Sequence, residues 1–367
     1  MAIRYRAGLA AAAALTLAAG LLTACGDDNN SGSDSGSGGG TKIALLLPES
    51  QTTRYEAKDR PLFEAKVKEL CPTCEILYSN AQQDQARQQQ QAEAALNNGA
   101  KVLVLDPVDG AAASTIVRLA QSKNVPVISY DRLIQNANVD YYISFDNEKV
   151  GKLQGSTLVD KLKSDGKSSG KIVMINGSPT DNNAKLFNKG AHSALDGSGF
   201  EVVPKPDFFT PEWKPENAQS FMEGQISQLG KDGFVGVYAA NDGTAGGAIA
   251  AMRGAGITPV PPTTGQDAEL AAIQRIIAGD QFMTVYKAFK PEADKAAELA
   301  VALAQGQKPT APTTVNNGSG DIPSFLLEPQ AVIKSNVKDT VVADGLYKLQ
   351  EICTTTYAEA CKAAGLQ

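Results

Sequence analysis

The residues able to do chemistry fall in one pattern: most of them follow a short apolar run. "VISYDRLI" (127–134) passes from apolar residues into adjacent Asp131 and Arg132. "IALLL" runs into "PESQTTRYEAKD", which carries Arg54 and Tyr55, and "YYISF" runs into Asp146–Asn147. "KIVMINGS" leads to "PTDNN", with Asp181 and Asn183; "VGVYAA" leads to Asn241–Asp242; "GQD" brings Gln266 and Asp267; "FMTVY" ends in Lys287. The single tryptophan, Trp213, sits in the polar stretch "DFFTPEWKPEN". Carboxylates accept hydrogen bonds, Lys and Arg donate them, and Asn does both, so together they can satisfy every hydroxyl of a polyol. Charge-assisted bonds are roughly twice as strong as neutral ones, which suits an uncharged ligand stripped of water. Trp213 and Tyr55 offer flat apolar faces for the C–H side of a sugar ring. A lone Asp–Arg pair would be a solvated surface pair of little consequence. Repeated at one strand end after another, such residues form a lining.

Simpler roles compete for the same residues. Asp and Asn are favoured helix N-caps, and Asp146, Asn182 and Asp242 answer to that role. Arg54 and Lys287 cannot cap, which leaves a ligand role for both. A lone Trp usually belongs to a core, but the polar, Pro-bounded loop around Trp213 argues for exposure. His192 reads as a helix-surface residue. Paired carboxylates such as Asp131 and Asp267 could serve a glycosidase. Their company of Arg, Lys and Asn favours binding over hydrolysis. "DGKSSGK" fails as a phosphate loop, because the required first glycine falls at Lys161. "NDGTAGGA" could hold an anion at a helix start, with close helix–strand packing as the simpler account.

The elements that must position these residues alternate. After "IALLL", the segment "DRPLFEAKVKEL" has Asp59 as its expected cap, Pro61 in the first turn, and Leu62, Phe63, Val67 and Leu70 at helical spacing. "EILYS", a helix from Asp84 to a Gly99 stop, "VLVL" and "VPVIS" follow, and then a second series of similar build: "KIVMINGS", "FEVVPK", "GFVGVYAAN" and "FMTVYK". The runs are continuous rather than alternating, so the strands should be covered on both faces, as in doubly wound parallel sheets. Ligands of such sheets bind outside the carboxyl ends of the strands. "NNGSGDIP" (316–323) reads as a return crossing between the two halves.

Length and charge bound the rest. The chain has 367 residues, 43% of them hydrophobic, which is enough for two domains. A net charge of −6 with no basic run argues against a nucleic-acid partner, and one histidine excludes a site built on several. Residues 1–24 read as a signal peptide: Arg4 and Arg6, an apolar stretch, then "LTAC". That ending resembles a bacterial lipobox, which makes Cys25 the lipidated mature N-terminus. "GDDNNSGSDSGSGGG" continues as a flexible tether over 25–41. Cys71, Cys74, Cys353 and Cys361 remain and allow three connectivities; local pairing, Cys71–Cys74 and Cys353–Cys361, suits an exported chain. "CPTC" could instead be redox-active or half of a zinc site, but no second CxxC supports zinc, and a redox motif should open a helix.

Five segments, "SYDRLIQNANVDYYISFDNEKVG", "GSPTDNNAKLF", "NDGTAGGAIAAM", "GQDAELAAIQRI" and "MTVYK", closely resemble the xylose-binding proteins of bacterial ABC sugar importers, within the type I periplasmic binding-protein family. The similarity runs from about Lys42 to about Leu349. It implies an α/β fold of two Rossmann-like lobes with parallel sheets, joined by three crossings: 42–146 and 287–320 in the N-terminal lobe, 147–286 and 321–367 in the C-terminal lobe and tail. It implies ligand contacts at Arg54, Asp131, Arg132, Asp181, Asn183, Trp213, Asn241, Asp267 and Lys287. Tyr55 departs from the family, which typically carries Trp there. The expectation is a lipid-anchored, monomeric receptor with no cofactor or metal. It would be exported to the periplasm or cell surface, close on D-xylose or a related aldose, and deliver it to a membrane permease. The alternatives are a carbohydrate-active enzyme and a sugar-responsive regulator, which would need a helix-turn-helix that the sequence lacks.

Overall fold

The continuous apolar runs become strands covered on both faces in the computed structural model, which describes residues 40–366. The expected signal peptide, Cys25 and the tether as far as residue 39 lie outside the described residues. The first series is β1 (Lys42–Leu47), α1 (Arg60–Leu70), β2 (Glu75–Asn80), α2 (Gln85–Asn97), β3 (Ala100–Leu105), α3 (Ser114–Ser122), β4 (Val127–Tyr130) and β5 (Tyr141–Phe145). These strands pair in parallel in the order β2-β1-β3-β4-β5. Along β1 the side chains alternate between two cores. Ile43, Leu45 and Leu47 pack with Phe63 and Val67 of α1, whereas Ala44 and Leu46 pack with Ala92 and Leu96 of α2 and Ile116 of α3. A strand buried on both sides has no polar face to show, which explains its unbroken apolar sequence.

The second series is α4 (Asn147–Ser164), β6 (Gly170–Asn176), α5 (Asn182–Leu195), β7 (Phe200–Phe209), α6 (Pro215–Leu229), β8 (Gly236–Ala239), α7 (Asp242–Gly254), α8 (Leu270–Ala278) and β9 (Met283–Tyr286). Its strands run β7-β6-β8, with β6 parallel to both neighbours. Pro204 and Pro206 fall in β7, an edge strand, where a missing donor is tolerated. The segment 263–265 links β8 to β9: Thr264 N donates to Val237 O, and Val285 N to Gly265 O, both at 3.0 Å.

The chain then returns. Helix α9 (Phe289–Ala304) packs on α1, and β10 (Thr313–Asn316) and β11 (Asp321–Leu327) join the first sheet. Strand β12 (Gln330–Ile333) goes back to the second, antiparallel to β9, ahead of α10 (Leu349–Ile352) and α11 (Ala358–Ala363). This corrects the expected boundary at 320/321. Strand β11 is parallel to β5, from Ser324 opposite Tyr142 to Leu327 opposite Phe145, so 321–327 belongs to the first lobe. The Gly-rich "NNGSG" is the turn of the β10–β11 hairpin, with Gly318 at φ +90°, and the chain crosses only after Leu327.

Caps follow a simple rule, with three exceptions. Asp84 and Asp146 accept from the backbone N–H three residues on, as capping requires. Asp59 does not cap, because its carboxylate is spent on Arg54. In α5 the cap is Asp181, accepting from Asn183 N at 2.8 Å, while Asn182 accepts from Gln135 Nε2 at 2.6 Å. In α7 the cap is Asn241, in a reciprocal pair with Thr244. Asp242 lies one residue inside, buried, accepting from Glu269 N, Gln281 Nε2 and Thr284 Oγ1. Cys71 bonds to Cys74 between α1 and β2, and Cys353 bonds to Cys361, tying α10 to α11.

Helices α4 and α5 lie close enough that a Cβ on Gly151 would stand 1.9 Å from Phe187 O, on the helix that carries Asp181 and Asn183 at its start. Gly151→Ala should therefore push α5 away. Overpacking of this kind costs about 1–3 kcal/mol, which urea unfolding would read as a lower midpoint with an unchanged slope. An unaltered midpoint would mean that the two helices separate freely.

Candidate functional site

The carboxyl ends of both sheets meet, and nine of the ten expected residues line one small cavity between them. Its walls are Thr52, Tyr55, Asp131 and Arg132 from the first lobe, Asp181, Asn183, Phe187, Trp213, Asn241, Gln266 and Asp267 from the second, and Lys287 from a crossing between them, around about 250 Å³ of empty space. Tyr55 stands in the turn before α1, Asp131 and Arg132 follow β4, and Asp181 and Asn183 open α5. Trp213 follows β7, Asn241 follows β8, Asp267 precedes α8, and Lys287 occupies the crossing from β9 to α9. All of these are 4% exposed or less.

The exception is Arg54, which lies behind the wall. Its guanidinium contacts Asp59 and Glu292 at 2.5 Å each and reaches Asp131 at 3.3 Å. Three carboxylates hold it in place, so it acts on the cavity through Asp131. Arg54 is thus the one expected ligand residue that this arrangement places in support of the wall.

Asp131 receives the Tyr55 hydroxyl at 2.8 Å and lies 3.4 Å from Lys287 Nζ. Burial alone would raise its pKa, but Lys287, Arg54, Tyr55 and Arg132 outweigh burial and hold it below the usual carboxylate range. Lys287 in turn sits 3.4 Å from Asp267. Burial works against its charge, and Asp131 and Asp267 more than restore it, so its pKa is raised. Arg132 bridges the lobes, with Glu49 at 3.0 Å on its own side and Asp181 at 3.2 Å on the other. Asn183 Nδ2 also crosses, donating to the Asp131 carbonyl at 3.0 Å.

The aromatic residues are held more tightly than the sequence suggests. Trp213 is 4% exposed, not a solvent-facing residue. Its Nε1 donates to Asp181 Oδ2 at 3.1 Å, and its ring lies so close to Gly177 that a Cβ there would be 1.8 Å from Cη2. Tyr55 turns its hydroxyl to Asp131 and accepts from Arg132 Nε at 3.2 Å, so it orients charges as well as presenting a ring. Asn241 spends its Oδ1 on the α7 cap, which leaves its Nδ2 as the group to offer a ligand. Asp131, Trp213 and Asp267 have φ of +52°, +58° and +94°. Non-glycine residues rarely adopt such values, and strain of this sort gathers at sites where geometry is imposed. His192 lies on the α5 surface, paired with Asp196 and Asp207.

Several contributors escaped the sequence reading. Asp106 ends β3 as Asp131 ends β4, so the same strand-end rule would have found it. It is fully buried, 3.7 Å from Arg132, with no hydrogen bond to either oxygen, and burial pushes its pKa well above the ordinary value. Glu49 lies just past β1 and holds Arg132. Gln266, read from the sequence at a strand end beside Asp267 but not among the expected ligand contacts, carries an unpartnered, buried Oε1 in the lining. Phe187 falls one helical turn after Asn183, where periodicity cannot tell a lining residue from a core residue. Among the described residues no cluster of His, Cys, Asp and Glu has the makings of a metal site.

Comparison with known proteins bears on this geometry. The periplasmic binding protein domain matches residues 43–308. The chain is 42% identical to the D-xylose-binding periplasmic protein of Escherichia coli (strain K12) over 315 residues, covering 85% of this chain and 92% of that one. It is 37% identical to a multiple sugar-binding periplasmic receptor of Rhizobium radiobacter, covering 73% of this chain and 81% of that one. Among solved structures, an ABC transporter solute binding protein from Clostridium phytofermentans with bound β-D-glucose superposes with a TM-score of 0.79 at 30% identity, covering 85% of this chain and all of that one.

Proposed function

Since this chain belongs to the periplasmic binding protein family, we propose that it is the sugar receptor of an ABC importer, closing on D-xylose or a closely related aldose and delivering it to the permease. The observation that carries this reading is the cavity itself: acceptors, donors and aromatic side chains from both lobes converge on one small cavity. The ligand contacts we assign are Asp131, Arg132, Asp181, Asn183, Asn241, Asp267 and Lys287, with Trp213 and Tyr55 supplying ring faces and Arg54 positioning Asp131. A sugar that touches both lobes stabilises the closed state over the open one, which is the basis of hinge closure. The exported location follows from relatives that are periplasmic. The lipid anchor at Cys25 and a monomeric state belong to the proposal.

A glycosidase is the less favoured reading. It needs one carboxyl poised as a proton donor and another free to act as base or nucleophile. Asp131 is held ionised, with its oxygens engaged by Tyr55, Arg54 and Lys287, so it is bound rather than free.

Two measurements test the reading. Calorimetry with xylose, arabinose, glucose and galactose should show tightest binding of xylose. Asp267→Ala should weaken it by roughly tenfold to several hundredfold, because losing a buried acceptor costs about 1–3 kcal/mol or more and each 1.4 kcal/mol is about tenfold. Binding of all four sugars by Asp267→Ala as by the parent would sink the site assignment. For the anchor, Cys25→Ser should move the protein from the membrane fraction to the soluble one, since the acyl chains supply most of the attachment. A variant that stays membrane-bound would refute lipidation as the anchor.

A further inference from the structure

Gln266 stands in the wall of the cavity, just after the segment that links β8 to β9. Its backbone is fixed on both sides. Gln266 O accepts from Asp242 N at 3.0 Å, and Asp267 N, the next along the chain, donates to Val285 O at 2.9 Å. Gly265, the residue before, packs so closely that a Cβ there would stand 2.0 Å from Asp242 Oδ1. In an extended chain successive side chains point to opposite faces. Position 265 faces the Asp242 carboxyl inside the second lobe, so position 266 faces away from it, toward the cavity. The φ of +94° at Asp267 then breaks the alternation, and both side chains line the same space.

The Gln266 side chain is held there without a bond for its oxygen. The residue is 2% exposed, and Oε1 is buried with no hydrogen-bond partner among the described residues. Its neighbours in the wall differ. Asn183 Nδ2 donates to the Asp131 carbonyl, Trp213 Nε1 to Asp181, and Asn241 Oδ1 accepts at the α7 cap. A buried acceptor that no group donates to is costly. A hydroxyl entering the cavity would supply the missing donor. The carboxamide accepts it without adding another negative charge beside Asp131, Asp181 and Asp267.

We propose that Gln266 is a further sugar-binding residue, its Oε1 accepting from one ring hydroxyl. The inference rests on the sugar-receptor reading above and adds to it a contact which that reading does not assign. A sugar without that hydroxyl would leave Oε1 buried and unmet, so Gln266 also selects among sugars.

Calorimetry of the full chain with D-xylose and with its monodeoxy analogues, on the parent and on Gln266→Met, tests this. Methionine keeps the side chain long and unbranched while removing the carboxamide. The parent should bind D-xylose, and Gln266→Met should bind it at least about tenfold more weakly. For the one analogue that lacks the contacted hydroxyl, parent and variant should agree within about twofold, because the interaction is already gone. Without sugar, the variant should melt no lower than the parent, since Oε1 has no protein partner to lose. Undiminished binding of D-xylose by Gln266→Met would overturn the proposal. So would an equal loss for every analogue, or a variant that misfolds or melts below the parent, either of which would assign the carboxamide to the fold. A parent that does not bind D-xylose would overturn the receptor reading itself, and this contact with it.

Discussion

Three cations, Arg54, Arg132 and Lys287, are buried where the two lobes meet, and the site depends on each of them being paired. Arg132 is the clearest case, with Glu49 on one side of the cleft and Asp181 on the other. A buried ion pair is weak evidence for stability, because desolvation offsets the attraction, but removing one partner leaves an uncompensated charge and costs about 3–5 kcal/mol. The pairs are better understood as fixing geometry. Asp131 is oriented by Arg54 together with Tyr55 and Lys287 of the wall, and Arg54 is oriented by Asp59 and Glu292, so part of the lining is set by three residues that stand behind it. Carboxyls exceed cations in this cluster. Burial pushes Glu292 up to about 8 against the pull of Arg54, and raises Asp106 well above its ordinary value, so the excess of acid works against full ionisation of the cluster.

The same side chains serve the fold and the site. Asp181 caps α5, receives Trp213 Nε1 and pairs with Arg132. Asn241 caps α7 and lines the cavity. A capping residue at a βα junction stands by construction at the carboxyl end of a strand, where ligands of such sheets bind. Capping and ligand contact are therefore not alternatives here, and weighing one against the other understated both.

What could be read from the sequence follows from this. The alternation of apolar runs pointed to the sheets, because a doubly covered strand leaves an unbroken signature, and the residues that follow those runs, with the single tryptophan read separately, pointed to nine of the lining residues. Three features resisted. Arg54 looked like a ligand because it cannot cap, yet the three acids that surround it come from the turn before α1, the β4 end and α9, a grouping no local pattern reveals. Strand β11 was assigned to the wrong lobe because a Gly-rich turn marks a hairpin and a crossing equally well. Trp213 looked exposed because its loop is polar, but Gly177 makes room for the ring against the backbone.

The central claim is that a sugar held by both lobes draws them together. Small-angle scattering of the full-length protein, titrated with xylose, tests it most directly. The account predicts a smaller radius of gyration at saturation, with the contraction following the binding isotherm. Saturable xylose binding by calorimetry with no contraction across the titration would contradict it.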